Sequence, residues 1–360
     1  MKVLIGAVDI GWRINRYQRF LNSNNTNGIK VESLVKYKVP SSQFSASYNY
    51  EYNFPSYSKL KRIFVSLFIF IRAIYKYKSF HFLSGETLLN RNLRSLEFRI
   101  YKLLRKHICM HFVGSDIRNP AYLSNQNCSS NIKTDIQLDW QKKLVSDSLL
   151  FADNILVSTP DLLEIIPKAK YFPISIDIND FFKLWNQYTT ADYKFFKSNK
   201  VKILHAPSNP PLKGSSIINE CISELKRNGL EFEYIYGPDI KSDSHSTYTV
   251  NRYDLFQLYR EADIVIDQII IGWYGQQALE AILSNCITFC FIKQKFTKYL
   301  GENQPFKNST GKSLTKDLEE TIRNISIEKE KLAQNIEWVI NKHGIEYHKK
   351  MLLTSFGIQE

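Results

Sequence analysis

The pattern that most limits how this chain can fold is an alternation of short β-type runs with helical stretches, interrupted once and then resumed. In the first half, strands are expected near residues 3–8, 31–37, 79–83, 108–113, 154–158 and 171–173, with helices between them, notably at 88–106 and 135–151. The scheme restarts with strand 201–206, helix 214–227, strand 232–236, helix 253–261, strand 264–267, helix 276–283 and strand 287–292. Short apolar strands that alternate with helices build parallel sheets covered by helices, an α/β fold. At ~100–200 residues per domain, 360 residues suffice for two. The expected division is 1–175, a connection at 176–200 without clean periodicity, a second domain at 201–342, and a terminal helix at 343–360 packing back on the first domain. Two such domains would face each other across a cleft, with ligands at the carboxyl ends of the strands.

Charge narrows the partners. The chain has 48 Lys+Arg against 35 Asp+Glu, a formal net charge of +13, which favours a membrane surface, a nucleotide phosphate or nucleic acid. No recognition-helix or RNA-binding motif occurs, and aromatics are not interleaved with basic residues in one patch, so no nucleic-acid partner is expected. Five scattered cysteines (Cys109, Cys128, Cys221, Cys286, Cys290) without a C-x-x-C pair give no disulfide framework and no thiolate zinc site, and suit a reducing compartment. The opening MKVLIGAVDIGWR has a short apolar stretch and no A-x-A-like cleavage site, so it reads as a first strand and a cytoplasmic location is expected.

The most apolar stretch is LKRIFVSLFIFIRAIYKYK, residues 60–78. Its apolar core, 63–71, would rise only ~13 Å as a helix, whereas the hydrocarbon of a bilayer is ~30 Å thick. It does not span. Two readings stay open and can coexist: a helix packed on the first sheet, or a helix docked on an anionic membrane surface through flanking Lys61, Arg62, Arg72, Lys76 and Lys78 with Tyr75 and Tyr77.

Two blocks carry candidate chemistry. In HAPSNPPLKGSSIINECISELK, from His205, a strand runs into a turn-rich loop and Lys213-Gly214 opens a helix, whose first N–H groups together with Lys213 can hold an anion. In ADIVIDQIIIGWYGQQALEAILSNCITFCFI, from Ala262, a buried strand meets a loop holding Gly272 and Gly275, and the next helix carries Glu280, able to accept hydrogen bonds from a ribose diol. Tyr274 could stack on sugar or base, although aromatics beside a sheet are commonly core. In the first half, HFVGSDIRNPAY displays Asp116 and Arg118 on a turn at a strand end, where Arg118 could fork onto phosphate and Asp116 manage a proton. His111 of that block reads as a satisfied strand histidine. The first βα loop contains Gly11, with Arg13 and Asn15 beside it.

Together the two C-terminal blocks resemble the donor-binding half of the GT-B glycosyltransferases, specifically the large retaining family 4, and the segments at 80–96, 111–122 and 151–178 resemble the acceptor-side half of a surface-polysaccharide subgroup. The resemblance implies two Rossmann-like domains, a nucleoside-diphosphate sugar as donor, and a lipid-linked or glycan acceptor. It implies a diphosphate contact for Lys213 and Gly214, a loop role for Gly275, a ribose contact for Glu280, and a turn near the base at Gly237-Pro238. Ser208 stands where that family usually has Arg, and Gly272 where it has the first of two glutamates. No D-x-D triplet occurs, so neither a metal nor any other cofactor is expected. The lost cation and carboxylate motivate a rival, a catalytically inactive glycosyltransferase-like scaffold at the membrane.

Overall fold

The computed structural model describes residues 1–23, 28–37, 47–118, 135–188, 195–196, 199–240 and 250–358. Cys128, the end of the GSDIR block (119–122) and part of the expected connection lie outside the described residues. The described residues divide into two compact units, one drawn from 1–118, 135–175 and 345–358, the other from 176–344.

The first unit holds β1 (Lys2–Gly6), α1 (Arg13–Ser23), β2 (Lys30–Val35), β3 (Tyr50–Glu51), α2 (Lys59–Lys76), β4 (Ser79–Leu83), α3 (Arg94–Leu103), β5 (His107–Phe112), α4 (Asp135–Phe151), β6 (Asn154–Val157) and β7 (Lys170–Tyr171). The strands form one seven-stranded parallel sheet in the order β3-β2-β1-β4-β5-β6-β7. Alternate residues along each strand enter opposite cores: Leu4, Phe80, Phe82 and Met110 on one face, Val3, Ile5 and Cys109 on the other, where the chain's last residues, Leu352, Leu353 and Phe356, also pack. The second unit holds α5 (Ile178–Tyr188), β8 (Val201–His205), α6 (Pro210–Lys213), α7 (Ser215–Arg227), β9 (Phe232–Tyr236), α8 (Arg252–Glu261), β10 (Ile264–Gln268), α9 (Gln276–Leu283), β11 (Ile287–Cys290), β12 (Phe306–Asn308), α10 (Leu314–Arg323), α11 (Ile325–Glu330) and α12 (Leu332–His343). Its five parallel strands are ordered β12-β11-β10-β8-β9. The last helix, α13 (Lys349–Ser355), belongs to the first unit.

Each order reverses once, between β1 and β4 in the first sheet and between β8 and β10 in the second. At such a reversal neighbouring loops leave in opposite directions and open a crevice at the strands' carboxyl ends.

Three expectations change. The helix expected over 88–106 begins only at Arg94, because the buried Glu97 carboxylate accepts from Leu88 N, Leu89 N and the Thr87 hydroxyl and so holds that stretch as a turn. The 176–200 segment, expected to be irregular, contains α5, which packs Phe181 and Trp185 against Phe256 of α8. Finally, two short edge strands, β3 and β12, lie where no strand was expected. The apolar stretch at 60–78 forms α2, which is apolar on two faces. Ser66, Ile69, Phe70 and Ala73 are buried, while Leu60, Ile63, Phe64, Leu67, Phe68 and Ile71 stand in solvent at helical spacing, followed by Tyr75 at 85% exposure. Among the described residues no helix is long and apolar enough to cross a membrane.

Candidate functional site

The loops at the reversal of the second sheet bring together Lys213, Gly214 and Gly275. The short helix α6 starts with Asn209, whose side chain accepts from Leu212 N, and ends at Lys213 because Gly214 takes a left-handed conformation (φ 79°). A Cβ on Gly214 would lie 2.8 Å from Ile269 and 2.9 Å from Ile270, so glycine alone lets α7 start this close to the β10 loop. Lys213 then reaches the carboxyl end of β10, where its Nζ meets Asp267 Oδ1 at 2.5 Å. The other Asp267 oxygen accepts from Gly275 N at 2.8 Å. A side chain at 275 would place its Cβ 3.1 Å from Lys213 Nζ. Asp267 is fully buried and thus ties the lysine to the glycine loop from below.

Two further polar side chains shape the same crevice. Gln268 uses its whole amide: Oε1 accepts from Ile270 N and Ile271 N, and Nε2 donates to Trp273 O and Phe291 O. His205, at the end of β8, donates from Nδ1 to Ile266 O at 2.8 Å, which leaves Nε2 to accept from the Ser215 hydroxyl at the start of α7. Burial pushes its pKa from 6.5 down to about 4, aided by nearby Lys213 and opposed by the carbonyl contact, so the ring is neutral.

The other candidates of this unit sit differently. Ser208 is exposed on the β8–α6 loop. Gly237 starts a short 3-10 turn with Pro238, and its lack of a side chain admits Ala206, which a Cβ would meet at 2.8 Å. Gly272 (φ 85°) is covered by the Lys293 stem, 2.6 Å from where a Cβ would be. Glu280, expected to be open to a ribose diol, is instead gripped by both terminal nitrogens of Arg252 at 2.6 Å each, with Gln276 Nε2 donating at 2.8 Å. A carboxylate offers about four lone-pair sites, and three are taken. Tyr274, expected to be able to stack on the donor, is buried with Trp273 on one face (4.6 Å) and Phe306 on the other (4.5 Å), its hydroxyl 3.0 Å from His343 Nε2. Neither ring face is open to a base or sugar.

In the first unit, Asp116 is buried and its carboxylate accepts from Val113 N, Gly114 N and Ile117 N, which closes the turn on itself. Burial raises its pKa against those hydrogen bonds. Arg118 forks onto Asp161 (2.6 and 3.1 Å) and donates to Thr159 Oγ1. Both therefore hold the loop's shape, where exposure towards a ligand had been expected. Gly11 (φ 65°) bends the first βα loop, and Asp9 of that loop accepts from Ile14 N and Asn15 N at the start of α1. Behind it runs a buried chain. Arg13 donates to Ser158 Oγ (2.7 Å); Ser158 Oγ, His111, His81 and Ser355 follow at 2.9, 3.3 and 3.2 Å; and Ser355 Oγ donates to Leu352 O. An arginine that only donates at one end and a carbonyl that only accepts at the other fix the direction: Ser158 donates to His111 Nε2, and each imidazole passes a hydrogen on from Nδ1. Burial holds His81 down to about 3 and lowers His111 well below the ordinary range. His111 is thus a satisfied strand histidine.

Sequence reasoning missed Asp267, Gln268 and Arg252. A charged residue ending the buried run ADIVID was the available signal for Asp267; Arg252 carries none until the fold brings it to Glu280. Among the described residues no group of three or more His, Cys, Asp and Glu gathers as a metal site would require, and the four described cysteines are buried and free.

Solved structures similar to the chain span its full length. Sucrose-phosphate synthase from Thermosynechococcus elongatus superposes with a TM-score of 0.61 at 11% identity, covering 96% of this chain and 95% of that one. HepE of Anabaena in complex with UDP gives 0.55 at 13% identity, with 99% and 100% covered. The catalytic domain of starch synthase IV from Arabidopsis thaliana, bound to ADP and acarbose, gives 0.58 at 12% identity, with 99% and 98% covered. No protein-family model matches the chain, and no curated protein matches it by sequence. At these identities the likeness is one of fold: the chain has the GT-B architecture of two parallel-sheet α/β domains.

Proposed function

We propose that the chain is a glycosyltransferase that moves a sugar, with retention and without a metal ion or other cofactor, from a nucleoside-diphosphate sugar to a lipid-linked or glycan acceptor in cell-surface polysaccharide synthesis. One observation carries this reading: Lys213 stands at the reversal of the second sheet, beside the start of α7 and against Gly275. Asp267 takes one of the three ammonium donors, and two remain for the diphosphate as charge develops on it. The α7 amides beyond Gly214 supply the rest of the anion site, and Gly275 leaves room for phosphate to approach the backbone. The nucleoside diphosphates in the HepE and starch synthase complexes support the donor class. The first unit serves the acceptor, and the exposed apolar face of α2, with its basic flanks, rests on the inner, cytoplasmic face of an anionic membrane.

The test removes the cation without stranding its buried partner. In Lys213→Met combined with Asp267→Asn, donor binding or turnover falls roughly 10- to 150-fold, the worth of one charge-assisted hydrogen bond. Unchanged donor affinity and turnover in that variant overturn the assignment. A thermal-shift panel of nucleotide sugars then names the donor, since a ligand at 100 times its Kd stabilises by ~2.7 kcal/mol.

A second reading, a catalytically inactive scaffold at the membrane, draws on the engagement of Glu280 by Arg252 and Gln276 and on Ser208 and Gly272. Sugar transfer or donor hydrolysis by the purified chain alone rules it out.

A further inference from the structure

A pocket of about 220 Å³ opens in the first unit at the carboxyl ends of β2 and β4. Lys36 and Tyr37, which follow β2, form one wall; Glu86, Asn90 and Arg91, which follow β4, form another; Arg62, Ile63 and Ser66 of α2 close it. At ~30 Å³ per water molecule it has room for roughly seven, ample for a phosphate or diphosphate group.

Its charges do not balance. Lys36, Arg62 and Arg91 line it, against one lining carboxylate, Glu86, which Arg91 engages at 2.8 Å. Arg62 spends two nitrogens on Tyr57 O and Pro55 O at the base of α2. Lys36 is only 3% exposed, and its Nζ donates to Leu89 O at 3.1 Å. Glu97, whose charge also acts on Lys36, is taken up by Thr87, Leu88 N, Leu89 N and Tyr101. A buried ammonium held by a carbonyl is an expensive arrangement unless an anion joins it. Burial accordingly lowers the pKa of Lys36, with Glu97 and Glu86 opposing and Arg91 and Arg94 adding to the depression.

The wall formed by α2 is also where the pocket meets the exposed apolar stripe. Ile63 belongs to both, and Phe64, Leu67, Phe68 and Ile71 continue the stripe away from it. Lys61 and Arg72, exposed beside the stripe, suit an anionic surface.

We propose that this pocket seats the phosphate of a membrane lipid, the lipid-linked acceptor, with its hydrocarbon lying along the exposed face of α2. The inference rests on the acceptor role given above to the first unit, and it adds the residues and the chemistry that would recognise the acceptor: Lys36, Arg62 and Arg91 for the phosphate, and the α2 stripe for the chain.

Vesicle flotation of the full-length chain without any nucleotide sugar tests it, so a failed transferase assignment leaves the result readable. Vesicles of phosphatidylcholine alone are compared with vesicles that also contain a lipid phosphate monoester, with inorganic phosphate and pyrophosphate as soluble competitors. The chain should float with the phosphate-bearing vesicles, and Lys36→Met and Arg62→Gln should each weaken partitioning about tenfold or more. Phe64→Ser, on the stripe and outside the pocket, should weaken it about tenfold through lost apolar contact. Arg62 is exposed, so its variant keeps the test decisive if Lys36→Met fails to fold. Equal flotation with both vesicles, or flotation sensitive to Phe64→Ser yet indifferent to Arg62→Gln, overturns the headgroup pocket. Binding of inorganic phosphate that abolishes flotation at low concentration, with Phe64→Ser inert, overturns the lipid as its source.

Discussion

At the second sheet's reversal Lys213 faces Asp267, and on the adjoining helices Arg252 faces Glu280, one buried carboxylate for each cation. The pocket of the first unit is lined by Lys36, Arg62 and Arg91 against one carboxylate, Glu86, which Arg91 engages. The two regions lie on sheets of the same class, at strand ends of the same kind, yet they use charge in opposite ways. Matched pairs make a rigid, almost neutral frame, on which backbone amides and the spare donors of one lysine can read a ligand. An excess of cations gives the pocket a net positive charge that an anion would complement.

Cutting one partner out of each region breaks the comparison most directly. Glu280→Gln leaves the Arg252 guanidinium buried without its counter-charge, which costs about 3–5 kcal/mol. At 2–4 °C per kcal/mol for a unit of this size, calorimetry should show the unfolding temperature falling by roughly 6–20 °C. Replacing both, as Arg252→Met with Glu280→Leu, should recover most of that loss. The same operation in the first unit has the opposite sign. Because burial holds Lys36 below its ordinary pKa, the unfolded chain binds more protons between the folded value and 10.5, and wild-type stability rises with pH across that window. Lys36→Met should be the more stable protein at neutral pH and should lose that rise. A Glu280→Gln protein that melts with the wild type, or a Lys36→Met protein less stable than it, ends the contrast.

Ten of the twelve described strands were legible because period and length suffice for them: 79–83 and 232–236 are found as expected and the other eight shift by at most a few residues, whereas the two- and three-residue strands β3 and β12 are too short to show a period. Lys213, Gly214 and Gly275 were legible because each lies at a strand–loop–helix junction, where local sequence states the geometry. Their partners were not. Asp267 is 54 residues from Lys213, and Glu280 is 28 residues from Arg252, and no local pattern reports a pairing over such separations. Tyr274 and Glu280 were read as open to ligand because a single strand–loop–helix segment cannot show what later strands lay against it; β12 supplies the Phe306 ring. Both roles of α2 were open in the sequence, but not which side is buried: its core is nearly apolar all round, and packing against α3 through Phe70 and Tyr101 decides it.

Acid sharpens the comparison in a second way, because both units also bury neutral histidines. The folded pKa of His205 lies at about 4 against 6.5 when exposed, so below 6.5 the unfolded chain takes up protons that the folded chain refuses. Stability is therefore present above 6.5 and is lost as pH falls towards about 4; at 1.36 kcal/mol per unit the difference is about 3 kcal/mol. His81, held to about 3 in the relay of the first unit, adds a loss of the same sign. His205→Gln should flatten the pH dependence of urea unfolding by about that amount within this window, while leaving the contribution of the first unit in place. A profile as steep as the wild type would mean that the His205 ring is charged in the folded chain and that the second unit's frame is less neutral than its pairs suggest.

The smallest effect concerns Tyr274, whose ring lies inside the aromatic core of the second unit. Tyr274→Phe keeps the ring between Trp273 and Phe306 and removes the hydroxyl contact to His343. One neutral hydrogen bond is worth about 0.5–1.5 kcal/mol, so a shift of roughly 1–6 °C in unfolding temperature is expected. Donor affinity should not move, because the residue's work is to hold the loop after β10 against α12 and β12, beneath the crevice. Equilibrium titration with the nucleotide sugar found by thermal shift reads this directly. A tenfold weaker Kd in Tyr274→Phe would return Tyr274 to the donor's surroundings. It would also mean that the frame of the second unit reaches its ligand through the aromatic layer as well as through Lys213 and the amides of α7.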